Sequence, residues 1–276
     1  MTPSLRPSVS KGGLGVPFDH IIFSSYGNDS IALIQSAHEL GLQNVAVAYS
    51  DTGWSAEWWA GRVIGCEAWA RSLGFTPVQI PSIGMEALVI RERGWPRQGM
   101  QFCTEHLKIV PALRWMSEVD PDGDAICMTG VRREESEARA GAPEWVEVSE
   151  KHGGRNLWQP LVRLTAAERN ALVVRAGFDV LPHRSKECEP CVNANKEDLA
   201  TMDERDIAKT EALEHAAGFT KAGKPRVAFR PAKRMGAVGI RAIIAWANSP
   251  KGRYAEGQGY FDLRPAAGCT SGWCGG

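Results

Sequence analysis

Short apolar runs that stop in polar loops, with helical spacing between them, constrain this chain most. HIIF (20–23) runs straight into SSYGNDS (24–30), NVAVAY (44–49) into a loop with Asp51, Thr52 and Gly53, and AICMTGV (125–131) into RREES. A further apolar run covers 75–80. Helical spacing covers 30–40, 58–73, 84–93, 103–119 and about 165–176, with Gly41, Gly74 and Gly177 as stops. Pro111 predicts a break or kink inside the fourth of these helices. Thr165-Ala166-Ala167-Glu168 is a capping-box start for the fifth. Strands alternating with helices of this length predict parallel βαβ units, hence an α/β fold with a mostly parallel, doubly wound sheet. In such a sheet the loops after the strands share one edge, outside the strands' carboxyl ends, where ligands bind.

The chain has 276 residues and 43% of them are apolar, enough for one large domain or a main domain with an appendage. Lys+Arg and Asp+Glu both number 32, so no global charge drives the chain toward nucleic acid or membrane. No apolar run is long enough for a membrane helix, and residues 1–17, rich in Ser, Pro and Gly, read as a flexible lead-in without a secretory signal. The expected location is the cytoplasm. Of the seven cysteines, Cys66 and Cys127 sit in apolar patterns as core residues. Cys188 and Cys191 form a Cys-x-x-Cys pair, which in a cytosolic chain suits a metal or redox role.

SSYGNDS admits two readings: an ordinary strand-to-helix turn, or a phosphate cradle. Glycine lets backbone approach a phosphate, and a helix start supplies free amides and a positive dipole end. Arg132, Arg133 and Arg139 stand just past a strand end, where they can bind phosphate or sulfate bidentately. The sign alternation of RREESEAR equally suits a solvated helix face. Asp51 suits magnesium or a ribose hydroxyl, or a plain turn before Gly53. Residues 221–234 carry Lys221, Lys224, Arg226, Arg230, Lys233 and Arg234 without an acid; this segment fits a nucleic-acid backbone or a solubilising linker.

SSYGNDS resembles the Ser-Gly-Gly-x-Asp-Ser pyrophosphate loop of the adenine nucleotide alpha hydrolase-like (PP-loop) superfamily. Ser25, Gly27, Asp29 and Ser30 match, and Tyr26 replaces the first glycine. The likeness extends in order through the phosphoadenylyl-sulfate (PAPS) reductase family. It includes Asp51-Thr52-Gly53, Cys103 with Lys108 and Pro111, Gly130 with Arg132, Ser136 and Arg139, Trp158-Gln159-Pro160-Leu161, Leu181-Pro182-His183, and Cys188-Glu189-Pro190-Cys191. Phe102 stands where that family often has a first cysteine.

The resemblance implies a nucleotide-binding domain over 18–200 and a C-terminal helical and tail appendage over 201–276. It implies nucleotide and phosphate binding by Ser24, Ser25, Tyr26, Gly27, Asn28, Asp29, Ser30, Asp51, Thr52, Gly53, Lys108, Gly130, Arg132, Arg133 and Arg139. It implies an iron–sulfur cluster, 4Fe–4S in type, on Cys103, Cys188 and Cys191, its fourth position open or closed by Cys274 or Cys269. Those two tail cysteines are also candidate catalytic thiols, a redox pair, or incidental thiols of an unordered tail.

Three functions follow. In the leading one, ATP with Mg2+ adenylates an acceptor, nucleic acid among the candidates, and sulfur from a donor displaces AMP. In the second, a tail thiol reduces PAPS or adenylyl sulfate and a thioredoxin-like reductant resolves it. The third is a nucleotide or redox sensor without turnover. Self-association into a homo-oligomer is compatible with each.

Overall fold

The structure, a computed structural model, describes residues 18–229 and 238–249. Six strands form one sheet: β1 (His20–Phe23), β2 (Val45–Asp51), β3 (Thr76–Pro81), β4 (Ile126–Met128), β5 (Trp145–Ser149) and β6 (Arg155–Trp158), in the order β3-β2-β1-β4-β6-β5. All neighbours are parallel except β5 against β6. The α/β, doubly wound expectation is met. The chain builds outward from β1 to β3, then returns to β4 on the other side of β1. The strand order therefore reverses between β1 and β4, and the crevice at such a switch point is where open α/β sheets bind ligands.

The period of two along a strand explains why the sheet is central. Ile22, Val45 and Val47 point to one face, where they pack with α1 (Asn28–Glu39), α2 (Trp59–Ser72) and α6 (Ala166–Arg175). Ile21, Phe23, Ala46 and Ala48 point to the other, against Ala112 and Met116 of α5 (Val110–Val119). Both faces are covered, so β1 and β2 read as continuous apolar runs. Cys66 and Cys127 are fully buried.

The expected break at Pro111 takes a specific form. α4 (Phe102–Thr104) leads into a π turn (Glu105–Ile109), and α5 begins beside the proline. Widening the turn relieves the clash between the proline ring and the carbonyl four residues back. α3 (Met85–Arg91) precedes this segment. The run 125–131 is shorter as a strand than expected, since Gly130 is pressed against α1. The hairpin strands β5 and β6 have no counterpart in the sequence reading. RREESEAR is no solvated helix: it forms two 3-10 turns, Arg133–Glu135 and Glu137–Arg139, with Arg132 and Arg139 buried.

Beyond the sheet, α7 (Lys196–Ala200), α8 (Glu204–Ala217) and α9 (Ile240–Asn248) pack on one another through Leu199, Met202, Ile207, Ile240 and Ile243. Glu214 of α8 accepts the backbone N–H groups of Ala228 and Ile240, both at 2.9 Å, and so ties this segment together. Cys269, Cys274, Arg230, Lys233 and Arg234 lie outside the described residues. Among the described residues no helix is long and apolar enough to cross a membrane.

Candidate functional site

The β1–α1 loop is held in shape by its own hydroxyls. Ser24 Oγ accepts Tyr26 N–H at 3.1 Å, Ser25 Oγ accepts Gly27 N–H at 3.3 Å, and Ser30 Oγ accepts Ser25 N–H at 3.0 Å. Tyr26 stands at φ 56°, the left-handed region that favours glycine. Its fully buried ring stacks on Tyr49 at 5.6 Å, and Arg62 Nε donates to its carbonyl at 2.7 Å. Packing and a charged hydrogen bond thus hold a conformation that a glycine would adopt freely. Gly27, the N-cap residue, carries no side-chain cap, which leaves the start of α1 to offer amides to an anion.

On the other side of the crevice stands the β4 loop. A Cβ on Gly130 would lie 3.0 Å from Asp29 O, so only glycine permits this approach. Arg132 Nε donates to Asp29 Oδ1 at 2.6 Å, and both side chains are buried. Burial alone would lower the Arg132 guanidinium; the adjacent Asp29 more than offsets this and holds it above its usual range. Asp29 Oδ2 also accepts Arg169 of α6 at 3.1 Å. Arg139 pairs with Glu135 instead. Arg133 is exposed and donates to the Ala142 carbonyl at 2.9 Å. Of the three arginines singled out by motif, Arg132 bonds to Asp29 at the head of α1.

The Asp51–Gly53 loop divides its residues. Asp51 is exposed, with Oδ1 accepting Gly53 N–H at 2.9 Å. Thr52 is buried and donates to the Glu187 carbonyl at 2.9 Å. Gly53 sits at φ 59°, and a Cβ there would lie 3.2 Å from the Gly84 backbone.

A strap of residues 181–191 joins these parts. Asn28 holds Leu181 through two hydrogen bonds of 2.9 Å, one given and one received. Ser185 packs against Gly27, where an added Cβ would meet it at 3.0 Å. Ala56 N–H reaches Lys186 O at 2.9 Å, and Glu189 N–H reaches Trp54 O at 2.7 Å. The strap ends in a pocket lined by Cys103, Cys188 and Cys191 together with Thr52, Lys108 and Glu187. Lys108 and Glu187 form a buried ion pair in its wall.

Burial pushes the Cys103 thiol up to about 11, with Cys191 beside it adding to the effect. Burial raises the thiols of Cys188 and Cys191 as well. All three thiols therefore hold their protons at neutral pH. Among the described residues no three His, Cys, Asp or Glu side chains converge on a point that could hold one metal ion.

Sequence reasoning missed Arg169, Glu187 and the clamp by Asn28 on Leu181. Arg169 sits in the capping-box helix with no motif of its own. Only the register that brings α6 against α1 makes it a neighbour of Asp29.

No family model matches the chain. A stretch of 121 residues, 39% of this chain, is 31% identical to an uncharacterized 37.8 kDa protein in the gpa 5' region of Escherichia phage 186; the match spans 34% of that protein, about a third of its length. The chain is similar to a solved PAPS reductase from Candida auris, in a phosphate complex, at TM-score 0.43 and 16% identity, over 59% of this chain and 74% of that one. It is also similar to NMN synthetase from Francisella tularensis at TM-score 0.41 and 14% identity, over 88% of this chain and 91% of that one.

Proposed function

We propose that this chain is an enzyme that uses an adenine nucleotide, ATP in the leading reading, to drive sulfur chemistry. What supports this is the strap. It bonds to Asn28 at the head of α1 and to Thr52 in the Asp51–Gly53 loop, and it ends on Cys188 and Cys191. An anion-accepting helix start and a pocket of three thiols thus share the carboxyl edge of one sheet.

In this reading the phosphates of ATP lie against the amides at the start of α1, with Arg132 across the crevice. Exposed Asp51 reaches Mg2+ or the ribose. An acceptor oxygen attacks the α-phosphorus, the bond to the β-phosphate oxygen breaks, and pyrophosphate leaves. The acceptor then carries AMP as a leaving group. Sulfide supplied by a donor displaces AMP, or a donor persulfide does so and a second thiol then closes a disulfide onto the donor sulfur to release the product; in either case a carbon–sulfur bond replaces the carbon–oxygen bond. A nucleic-acid base is one acceptor class in keeping with the basic segment, of which Lys221 and Lys224 are exposed.

Cys103, Cys188 and Cys191 would hold an iron–sulfur cluster, which when bound supplies sulfide and electron storage. Its fourth position falls to Cys274, Cys269 or an outside ligand. A second reading, in keeping with Asp51-Thr52-Gly53 and the Cys-Gly tail, is reduction of a sulfonucleotide by Cys274 or Cys269. There a thiolate attacks the sulfonate sulfur, an adenosine phosphate leaves, and a second thiol releases sulfite as a disulfide forms.

The test is calorimetry on the anaerobic protein with ATP–Mg, PAPS and adenylyl sulfate side by side. Tighter ATP binding is expected. Tighter sulfonucleotide binding would replace the leading reading with the reductase, and no binding of any of the three would remove both.

A further inference from the structure

The switch-point crevice contains a basic residue that the motifs pass over. Arg169, in the first turn of α6, reaches the first turn of α1 and donates from Nη1 to Asp29 Oδ2 at 3.1 Å. Arg132, from the β4 loop, donates to Oδ1 of the same carboxylate at 2.6 Å. One carboxylate therefore aligns two guanidiniums that come from different elements. Arg169 has Asp29 as its ion-pair partner, while Arg132 is shared between Asp29 and Glu134.

The other carboxylates nearby are engaged away from Arg169. Glu135 is paired with Arg139. Glu134 Oε2 lies 3.2 Å from Arg132 Nη1 and also accepts the Ala166 N–H at the head of α6, so it shares the Arg132 charge from a side chain that is 52% exposed. The Arg169 side chain is only 12% exposed, and its buried Nε meets no hydrogen-bond partner among the described residues. A buried donor without an acceptor is costly, and an oxyanion arriving beside it would remove that cost. The same crevice holds the uncapped start of α1, so an anion there is met from three sides.

We propose that Arg169 and Arg132 form a two-guanidinium clamp for the phosphate oxygens of the bound nucleotide, and that Asp29 sets the clamp rather than touching the ligand. This rests on the reading of the β1–α1 loop as a nucleotide loop. The clamp suits a tetrahedral group with at least two free anionic oxygens, such as a terminal phosphate, pyrophosphate or sulfate ester. It makes Arg169 a binding residue and Asp29 a positioning residue.

The test is calorimetry of the full chain with inorganic pyrophosphate, ATP–Mg and PAPS, for the wild type, Arg169→Gln and Arg169→Lys, with thermal midpoints recorded for each. Whichever probe the wild type binds, Arg169→Gln is expected to bind it about tenfold more weakly, or about 1.4 kcal/mol, with its midpoint close to wild type. Arg169→Lys recovers only part of the loss, because an ammonium lacks the planar fork that serves Asp29 and a ligand oxygen together. Wild-type affinity in Arg169→Gln overturns the clamp and leaves the nucleotide loop standing. Should Arg169→Gln fail to fold, the lysine variant decides: unchanged affinity there overturns the clamp. A wild type that binds none of the three probes overturns the nucleotide-loop reading, and the clamp falls with it.

Discussion

Gly130→Ala isolates the contact on which the crevice depends. The new Cβ would stand 3.0 Å from the Asp29 carbonyl oxygen, 3.2 Å from its carbonyl carbon and 3.3 Å from its Cβ. Carbon atoms in comfortable contact sit about 3.5–4.0 Å apart, so the two loops must separate by roughly half an ångström. None of the three opposing atoms belongs to a flexible side-chain tip. All sit in the first turn of α1, which is buried, and behind Gly130 lies β4 in the middle of the sheet. Overpacking of this kind costs about 1–3 kcal/mol, which lowers the thermal midpoint by several degrees for a chain of this length, at about 2–4 °C per kcal/mol. The same displacement pulls Asp29 from Arg132, whose hydrogen bond is 2.6 Å long. Nucleotide affinity should fall about tenfold, the scale of one charge-assisted hydrogen bond. Gly141→Ala is the control, because a Cβ there meets nothing within 4 Å. Thermal denaturation and calorimetry on both variants test the reasoning. If Gly130→Ala matches Gly141→Ala in midpoint and in affinity, the close approach does not organise the site.

Further outcomes are expected elsewhere. Anaerobically purified protein should be brown and contain iron and sulfide, and replacing Cys103, Cys188 and Cys191 by serine should remove both; colourless, iron-free protein after careful reconstitution refutes the cluster. Asp120 is fully buried and takes Arg155 Nε at 2.5 Å, so Asp120→Ala strands a buried guanidinium and should cost about 3–5 kcal/mol in equilibrium unfolding. Burial lowers His152 from 6.5 to about 4 in the folded chain, so the unfolded chain binds more protons between those values. Stability should therefore fall as pH drops through that window, by up to about 1.4 kcal/mol per unit. His152→Gln should flatten that slope in denaturant titrations, and an unchanged slope refutes the assignment.

The central strands were legible because they are buried on both faces and must be apolar throughout. HIIF and NVAVAY could hardly be anything else once helical spacing followed each of them. The edge pair β5–β6 was not legible. WVEVS is half exposed and its pairing shifts register between Val146 and Ser149, so neither an apolar run nor a clean alternation marks it. At the candidate site, motif residues do come together locally: Gly130 and Arg132 both meet Asp29, and Cys103, Cys188 and Cys191 line one pocket. What escaped were pairings over long sequence distance. Asp29 with Arg169 is separated by 140 positions and Lys108 with Glu187 by 79, and no periodicity encodes such partners. Tyr26 also ran against local rules, since only its burial on Tyr49 and the hold of Arg62 on its carbonyl make a left-handed tyrosine tolerable.

The strap from Leu181 to Cys191 has a thermodynamic corollary. Its two ends are fastened to different occupants of the same edge, the head of α1 and the thiol pocket, through hydrogen bonds to Asn28 and Thr52. Whatever orders one end lowers the entropy cost of ordering the other. Filling the pocket and filling the crevice are then linked events, and linkage is reciprocal: if an occupied pocket tightens nucleotide binding by some factor, bound nucleotide tightens the pocket's hold on its occupant by the same factor. Under the proposed function, a chain built this way would report the state of its thiols through its affinity for nucleotide.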